Sequence, residues 1–357
     1  MPFDCRSLFL ATVLLGLCSA CTPKPQAPPP LPGSAPDPGQ PAAALDDQDL
    51  QWRTWLEDLG EEALAQGIRE EVLHDALADL QPAPELLMPR HKQAEFALSK
   101  QEYVQRLASE QRFQAGLQRK DELRDLLQKI EWRYGVPEAY LLALWAIESD
   151  FGKGANRHPV IRALATQAWR SQRPAFFRKQ LLAALQILDQ ERMPSEQLRG
   201  SWAGAMGHFQ FIPTTYLDYA VDFNDDGKRD IWTDVEDALA SAASYLARAG
   251  WQRQTAWGWR IDLPAAFDRT LADPGVKKSL ADWRALGLPA VAGSDEVQAA
   301  LLLPDGPQGP AFLVTDNLRV LMRWNRSVAF ALAVGHLADR FEKADRNIPV
   351  EGPASPL

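Results

Sequence analysis

Glu148 closes a nearly continuous apolar run (Leu141, Leu142, Leu144, Trp145 and Ile147) and is followed by Ser149, Asp150, Phe151 and Gly152. A carboxyl group held among such side chains loses hydration, which disfavours its charged form and carries its pKa toward neutrality. An acid still protonated near neutral pH is what protonation of a glycosidic leaving group requires. The same residue also reads as a helix-end glutamate that caps backbone or pairs with an arginine. A second segment, Gly200 to Pro213, alternates glycines and small residues with Trp202, Met206, Phe209 and Phe211, in neither helical nor strand period. Glycine admits close approach of backbone to a ligand, and Ser201 and Gln210 offer a hydroxyl and an amide for recognition. A packed structural loop would have the same composition. The third segment, Asp222 to Asp230, puts oxygen side chains at positions 1, 3 and 5 (Asp222, Asn224, Asp226) and Gly227 at position 6, the first half of an EF-hand calcium loop. Position 7, Lys228, needs only its carbonyl. Position 12 is Thr233 where glutamate is standard, and Asp237 lies close enough in sequence to supply the missing carboxylate. The plainer reading is a solvated acidic turn.

Other chemistries lack residues. The histidines (His74, His91, His158, His208 and His336) show no metal-ligand spacing, and no glycine-rich phosphate loop is present. All three cysteines, Cys5, Cys18 and Cys21, fall near the N-terminus, so the body has neither a thiol nucleophile nor a disulfide. A net charge of −9 argues against nucleic acid as partner, because phosphate binding needs clustered Lys and Arg. Tryptophans are abundant; most such residues serve cores, although their faces also suit pyranose rings.

The elements that must position these residues are mainly helical. Leu50, Trp52, Trp55, Leu56 and Leu59 recur at spacings of three and four, as do Val72, Leu73, Ala76, Leu77 and Leu80. One long charged helix is expected over 117–134, stopped by Gly135-Val136-Pro137. A nearly all-apolar helix over 137–148 should be central, and further helices are expected over 174–190, 235–249 and 327–343. Leu301 to Leu303 and Ala311 to Val314 flank a Gly/Pro loop and read as a small β-hairpin. No 18-residue apolar run occurs, so the body does not span a membrane. The N-terminus differs from the body. Residues 1–20 read as an export signal, with Arg6 ahead of an apolar stretch and Ser19-Ala20 before Cys21. Ala20-Cys21 is similar to a lipoprotein processing site, with Cys21 the lipidated residue. Residues 21–44 are proline-rich, an extended tether able to reach about 70 Å at roughly 3.1 Å per residue. The body is expected over 45–345, followed by a frayed tail over 346–357. No surplus apolar helix face is evident, so a monomer is expected.

Taken together, YGVPEAYLLALWAIESDFG (134–152), GSWAGAMGHFQFIPTTY (200–216), AVDFNDDGKRDIW (220–232) and RVLMRWNRSVAFALAVGHLADRF (319–341) closely resemble the membrane-bound lytic transglycosylase B family. The resemblance implies a lysozyme-like α-helical fold carrying an EF-hand-like calcium loop. It also implies a periplasmic enzyme, anchored to the outer membrane by lipid, that acts on peptidoglycan glycan strands. The implied reaction cleaves the β-1,4 bond between MurNAc and GlcNAc without water and leaves 1,6-anhydroMurNAc ends. One glutamate, Glu148 by position, acts as acid and then as base. The resemblance further implies substrate contacts from Tyr103, Ser201, Gln210, Phe211, Tyr245, Trp324 and Asn325. It implies calcium ligands from Asp222, Asn224, Asp226, Lys228 and Asp237. Trp324 and Phe330 stand where tyrosines are common, and His208 replaces a frequent tyrosine. Loss of the hydroxyls leaves stacking at Trp324 and puts its hydrogen bonding in question.

Overall fold

The computed structural model describes residues 47–87, 100–154 and 156–345. The expectations for the export signal, Cys21, the tether and the C-terminal tail lie outside the described residues.

The N-terminal apolar periodicity produces α1 (Asp47–Ala65) and α2 (Glu70–Leu77), followed by α3 (Lys100–Leu107). Where one long helix is expected, the chain makes two, α4 (Glu110–Glu122) and α5 (Arg124–Tyr134). Leu123 between them leaves the helical region, at φ −115° and ψ 17°. The break lets α4 and α5 each turn an apolar side inward, burying Phe113 on one and Leu127 and Ile130 on the other. Gly135, at φ 71°, ends α5 in the left-handed conformation that glycine adopts without a Cβ penalty.

Next comes α6 (Glu138–Ser149), entered through Pro137. Every residue of α6 except Glu138 and Glu148 is buried. It contacts α4, α5, α10 (Val235–Arg248) and α13 (Val328–Asp345), so helices surround it. Each buried leucine contributes on the order of 1.5–3 kcal/mol through removal of apolar surface from water. With neighbours on all sides, α6 has no room for a polar face, and its axis fixes where Glu148 sits.

Around this centre lie α7 (Val160–Arg170), α8 (Pro174–Glu191) and α9 (Pro213–Tyr219), with α7 and α9 both against α8. Two short strands, β1 (His158–Pro159) and β2 (Arg199–Gly200), pair antiparallel and lead into the glycine-rich segment. A second sheet comprises β3 (Gly258–Ile261), β4 (Lys277–Ser279), β5 (Gln298–Leu302) and β6 (Ala311–Val314), in the order β3-β6-β5-β4. The expected hairpin is its β5–β6 pair, with Leu302 opposite Phe312. The sheet is larger than that hairpin. With α11 (Leu280–Ala285) it encloses a small core of its own, centred on Trp283 and Leu301. A further helix, α12 (Asp316–Trp324), leads from β6 toward α13 and ends beside the catalytic candidate.

Candidate active site

The last turn of α6 presents Glu148, and three consecutive left-handed residues then turn the chain away: Asp150 (φ 51°), Phe151 (φ 60°) and Gly152 (φ 88°). A Cβ on Gly152 would lie 2.5 Å from Cε1 of His208, so only glycine fits beneath that ring. Ser149 holds the exit: its hydroxyl donates to the His208 carbonyl at 2.6 Å and accepts the Gly152 N–H at 2.8 Å. Among the described residues the helix-end glutamate forms no ion pair with an arginine. Its Oε1 accepts the indole N–H of Trp324 at 2.7 Å. Burial pushes the Glu148 carboxyl up to about 7, and the Trp324 hydrogen bond, which favours the anion, pulls the other way. The donor missing from a tyrosine at position 324 is thus supplied by the indole.

Aromatic rings fix Trp324. Tyr245 of α10 meets it edge-on at 4.9 Å between centroids, Phe211 tilts against it at 5.5 Å, and Phe209 lies at 6.1 Å. The Tyr245 hydroxyl donates to the Arg323 carbonyl at 2.8 Å, so it is engaged in holding the end of α12. Arg323 in turn donates to the Ala249 carbonyl at 2.7 Å.

The glycine-rich segment folds on itself beside α6. Ser201 Oγ accepts the N–H groups of Ala203 and Ala205, at 3.3 and 3.0 Å, and Met206 and Phe211 exchange backbone hydrogen bonds. Gln210, at φ 52°, donates its amide N–H to the Gly207 carbonyl at 3.0 Å. Phe330 is buried on α13. Asn325 precedes that helix, its side-chain oxygen accepting the Ser327 N–H, and the Ser327 hydroxyl caps the helix by accepting the Phe330 N–H. Tyr103 sits on α3, which packs against α13.

In the acidic loop, Asp222 accepts the N–H groups of Asp226 and Gly227, Asn224 Oδ1 accepts that of Asp226, and Asp226 that of Lys228. Asp225 (φ 61°) and Gly227 (φ 87°) give the loop its tight turn. These side chains are all-oxygen donors of the type a hard cation takes. Asp237 is differently used. Buried in the first turn of α10, it accepts the N–H of Phe223 at 2.7 Å and of Asp230 at 2.8 Å, tying the two ends of the loop together. Burial raises its pKa to about 6, with the charges of Asp234 and Asp222 adding to the shift. Among the described residues, no three His, Cys, Asp or Glu side chains form a preassembled metal cluster.

Sequence reasoning passed over Trp145, Ser149 and Arg323, which position the site without carrying obvious chemistry. The one local signal was a polar serine ending an otherwise apolar helix.

A family model described as the transglycosylase SLT domain matches residues 51–339. Membrane-bound lytic murein transglycosylase B of Escherichia coli K12 is 32% identical over 221 residues, covering 60% of this chain and 59% of that relative. SltB3 of Pseudomonas aeruginosa, solved in complex with NAG-NAM-pentapeptide, is 40% identical with a TM-score of 0.76, over 82% of this chain and 79% of the other. Slt35 of Escherichia coli, solved in complex with calcium, is 25% identical with a TM-score of 0.67, over 81% of this chain and 93% of the other.

Proposed function

The chain belongs to the transglycosylase SLT-domain family, and from that membership we propose that it is a lytic transglycosylase of peptidoglycan. Glu148 carries the reading: a carboxyl group half withdrawn from water at the end of α6, its pKa raised to about 7. In the proposed reaction the protonated acid gives its proton to the oxygen between MurNAc and GlcNAc as the bond to C1 breaks. The resulting carboxylate then takes the proton of the C6 hydroxyl, whose oxygen closes on C1 to give the 1,6-anhydro ring. One carboxyl group suffices because the substrate supplies its own nucleophile, where most glycosidases need a pair. SltB3 has been solved with both NAG-NAM-pentapeptide and NAG-anhNAM-pentapeptide, a substrate-like and a product-like ligand for that protein.

Ser201, Gln210, Phe211 and Asn325 are proposed as substrate contacts. Tyr245 and Trp324 contribute through their rings, because the Tyr245 hydroxyl and the Trp324 N–H are already engaged. Tyr103 is proposed as a more distant contact through α3. Calcium would be held by Asp222, Asn224, Asp226 and the Lys228 carbonyl, with Asp237 bracing the loop and sharing an oxygen if it ligates. The ion would neutralise charge and set the loop that precedes α10. Export, lipidation at Cys21 and tethering to the outer membrane complete the reading; no helix among the described residues is long and apolar enough to cross a membrane.

Purified murein sacculi digested with the wild-type chain should release muropeptides lighter by one water than those released by a hydrolase. Glu148→Gln should keep the fold and release none. Full-mass reducing ends, or turnover by the variant, would overturn the reading.

A further inference from the structure

Trp324 stands 176 residues from Glu148 in the chain, yet its N–H meets Oε1 at 2.7 Å. Indole is a donor only. It can therefore face an ionised carboxylate oxygen, or the carbonyl-type oxygen of a protonated carboxyl, but not an O–H. Rotation away is blocked by Tyr245, Phe211 and Phe209, whose rings meet the indole at 4.9, 5.5 and 6.1 Å. Tyr245 is itself tied by its hydroxyl to the Arg323 carbonyl, immediately before Trp324. The donor is thus preset, and it holds one oxygen of the acid in both protonation states.

We propose that Trp324 is a positioning residue that reserves Oε1 of Glu148 as a permanent acceptor, so that Oε2 alone carries the proton in both halves of the reaction. This rests on the transglycosylase reading above. In the first half the Oε2–H bond breaks and its proton goes to the glycosidic oxygen as the C1–O bond breaks. In the second half the C6 O–H bond breaks, its proton goes to Oε2, and the C6 oxygen bonds to C1. A carboxyl group free to flip would have to find the same geometry twice; one held at Oε1 keeps it. The bond also moderates the upward pull of burial on the acid.

Several other ionisable groups on the elements around α6 are engaged elsewhere. His208 accepts from Trp145, and the Arg323 guanidinium meets the Ala249 carbonyl. Lys120 of α4 pairs with Glu138, and the Glu131 carboxylate of α5 accepts the Glu138 N–H, both at the far end of α6. Asp339 of α13 accepts from Trp257 and acts on Tyr140, about 12 Å along α6 from Glu148 at 1.5 Å per residue.

The test replaces Trp324 in the full chain by benzothienylalanine, which keeps the bicyclic ring and exchanges N–H for sulfur. The Glu148 pKa is read by carbon NMR of labelled glutamate. Loss of a hydrogen bond to the charged form should raise that pKa by about one to two pH units. On a soluble NAG-NAM-pentapeptide oligomer, kcat should fall about tenfold or more, as expected when a catalytic group loses its orientation, with KM unchanged. Trp324→Phe should also raise the Glu148 pKa and lower kcat, and Trp324→Tyr, which returns a donor, should recover most of the lost kcat. An unmoved pKa, a loss confined to KM, or a tyrosine variant no better than phenylalanine would each overturn the proposal. The NMR reading needs no turnover, and Glu148→Gln tests the reaction separately, so failure of the proposal is distinguishable from failure of the function.

Discussion

Trp145 donates its indole N–H to Nδ1 of His208 across 2.8 Å, joining the catalytic helix to the glycine-rich segment. The ring contact is edge-on at 5.4 Å, and the His208 N–H donates to the Ile231 carbonyl next to the acidic loop. One residue therefore touches all three segments that carry the site, through its ring and its backbone N–H. An acceptor at Nδ1 requires the neutral ring, and burial accordingly lowers the His208 pKa from its ordinary 6.5.

His208→Phe should destabilise the chain by about 1–3 kcal/mol, because it leaves the buried Trp145 N–H without an acceptor. The pH dependence is specific. The folded pKa is depressed, so the unfolded chain binds more protons once pH falls below about 6.5, and stability is lost from there down through the folded value. Urea unfolding of wild type and variant should therefore converge as pH falls through that window. A constant difference across it would mean that the ring has the same pKa in the folded and unfolded chain.

Glu148→Gln should stabilise the fold at alkaline pH. The folded pKa of about 7 lies above the ordinary 4.5, so the folded chain binds more protons between these values and loses stability as pH rises through them. Glutamine carries no such penalty and can still accept from Trp324. At pH 8 the variant should be more stable by about 1–3 kcal/mol, the order expected for a shift of this size, and the gain should vanish below pH 4.5. Thermal melts at the two pH values decide it.

How much of this was legible in the sequence depended on distance along the chain. Glu148 was legible because its apolar neighbours are its helix neighbours. The pattern of Asp222, Asn224, Asp226 and Gly227 was legible as a turn because its hydrogen bonds are local. The Trp324 bond was not, since nothing in a local window shows which ring α12 carries to α6. Tyr245 was expected as a substrate contact, and the tie of its hydroxyl to the Arg323 carbonyl could not be read from sequence. The four-stranded sheet was half seen. β4 is Lys-Lys-Ser and β3 is Gly-Trp-Arg-Ile, neither an apolar run, whereas β5 and β6 are mostly apolar. The break between α4 and α5 lies at a leucine, with no Gly or Pro to mark it.

Calcium should raise the melting temperature of the chain. Stabilisation by a ligand bound only to the folded state follows the ratio of free ion to dissociation constant, about 2.7 kcal/mol at a hundredfold excess. Asp226→Ala removes one oxygen donor and should abolish the shift while leaving the chelated protein folded. Equal melting with calcium and with chelator would leave the loop as an acidic turn closed by its own N–H groups.

Gly207→Ala should be costly, because it combines a left-handed backbone with a close backbone neighbour. Gly207 has φ 69°, and a Cβ there would stand 2.5 Å from the Ile231 carbonyl oxygen and 2.8 Å from its Cγ1. That carbonyl accepts the His208 N–H, so it cannot move without disturbing the residue that braces α6. The Gly207 N–H donates to Asn156, and the Gly207 carbonyl receives the Gln210 amide, so a shift at this residue also moves the candidate sugar contact. Left-handed strain and overpacking together should lower stability by roughly 2–5 kcal/mol in urea unfolding. Gly250→Ala is the control: its φ is 97°, yet nothing lies within 4 Å of the added Cβ, so only the backbone strain applies. If the two variants lost stability equally, crowding against Ile231 would contribute nothing, and the glycine at 207 would be needed for its backbone angle alone. If Gly207→Ala loses more, and binding of a soluble glycan weakens with it, the close approach of the segment to the acidic loop is what sets the position of Gln210.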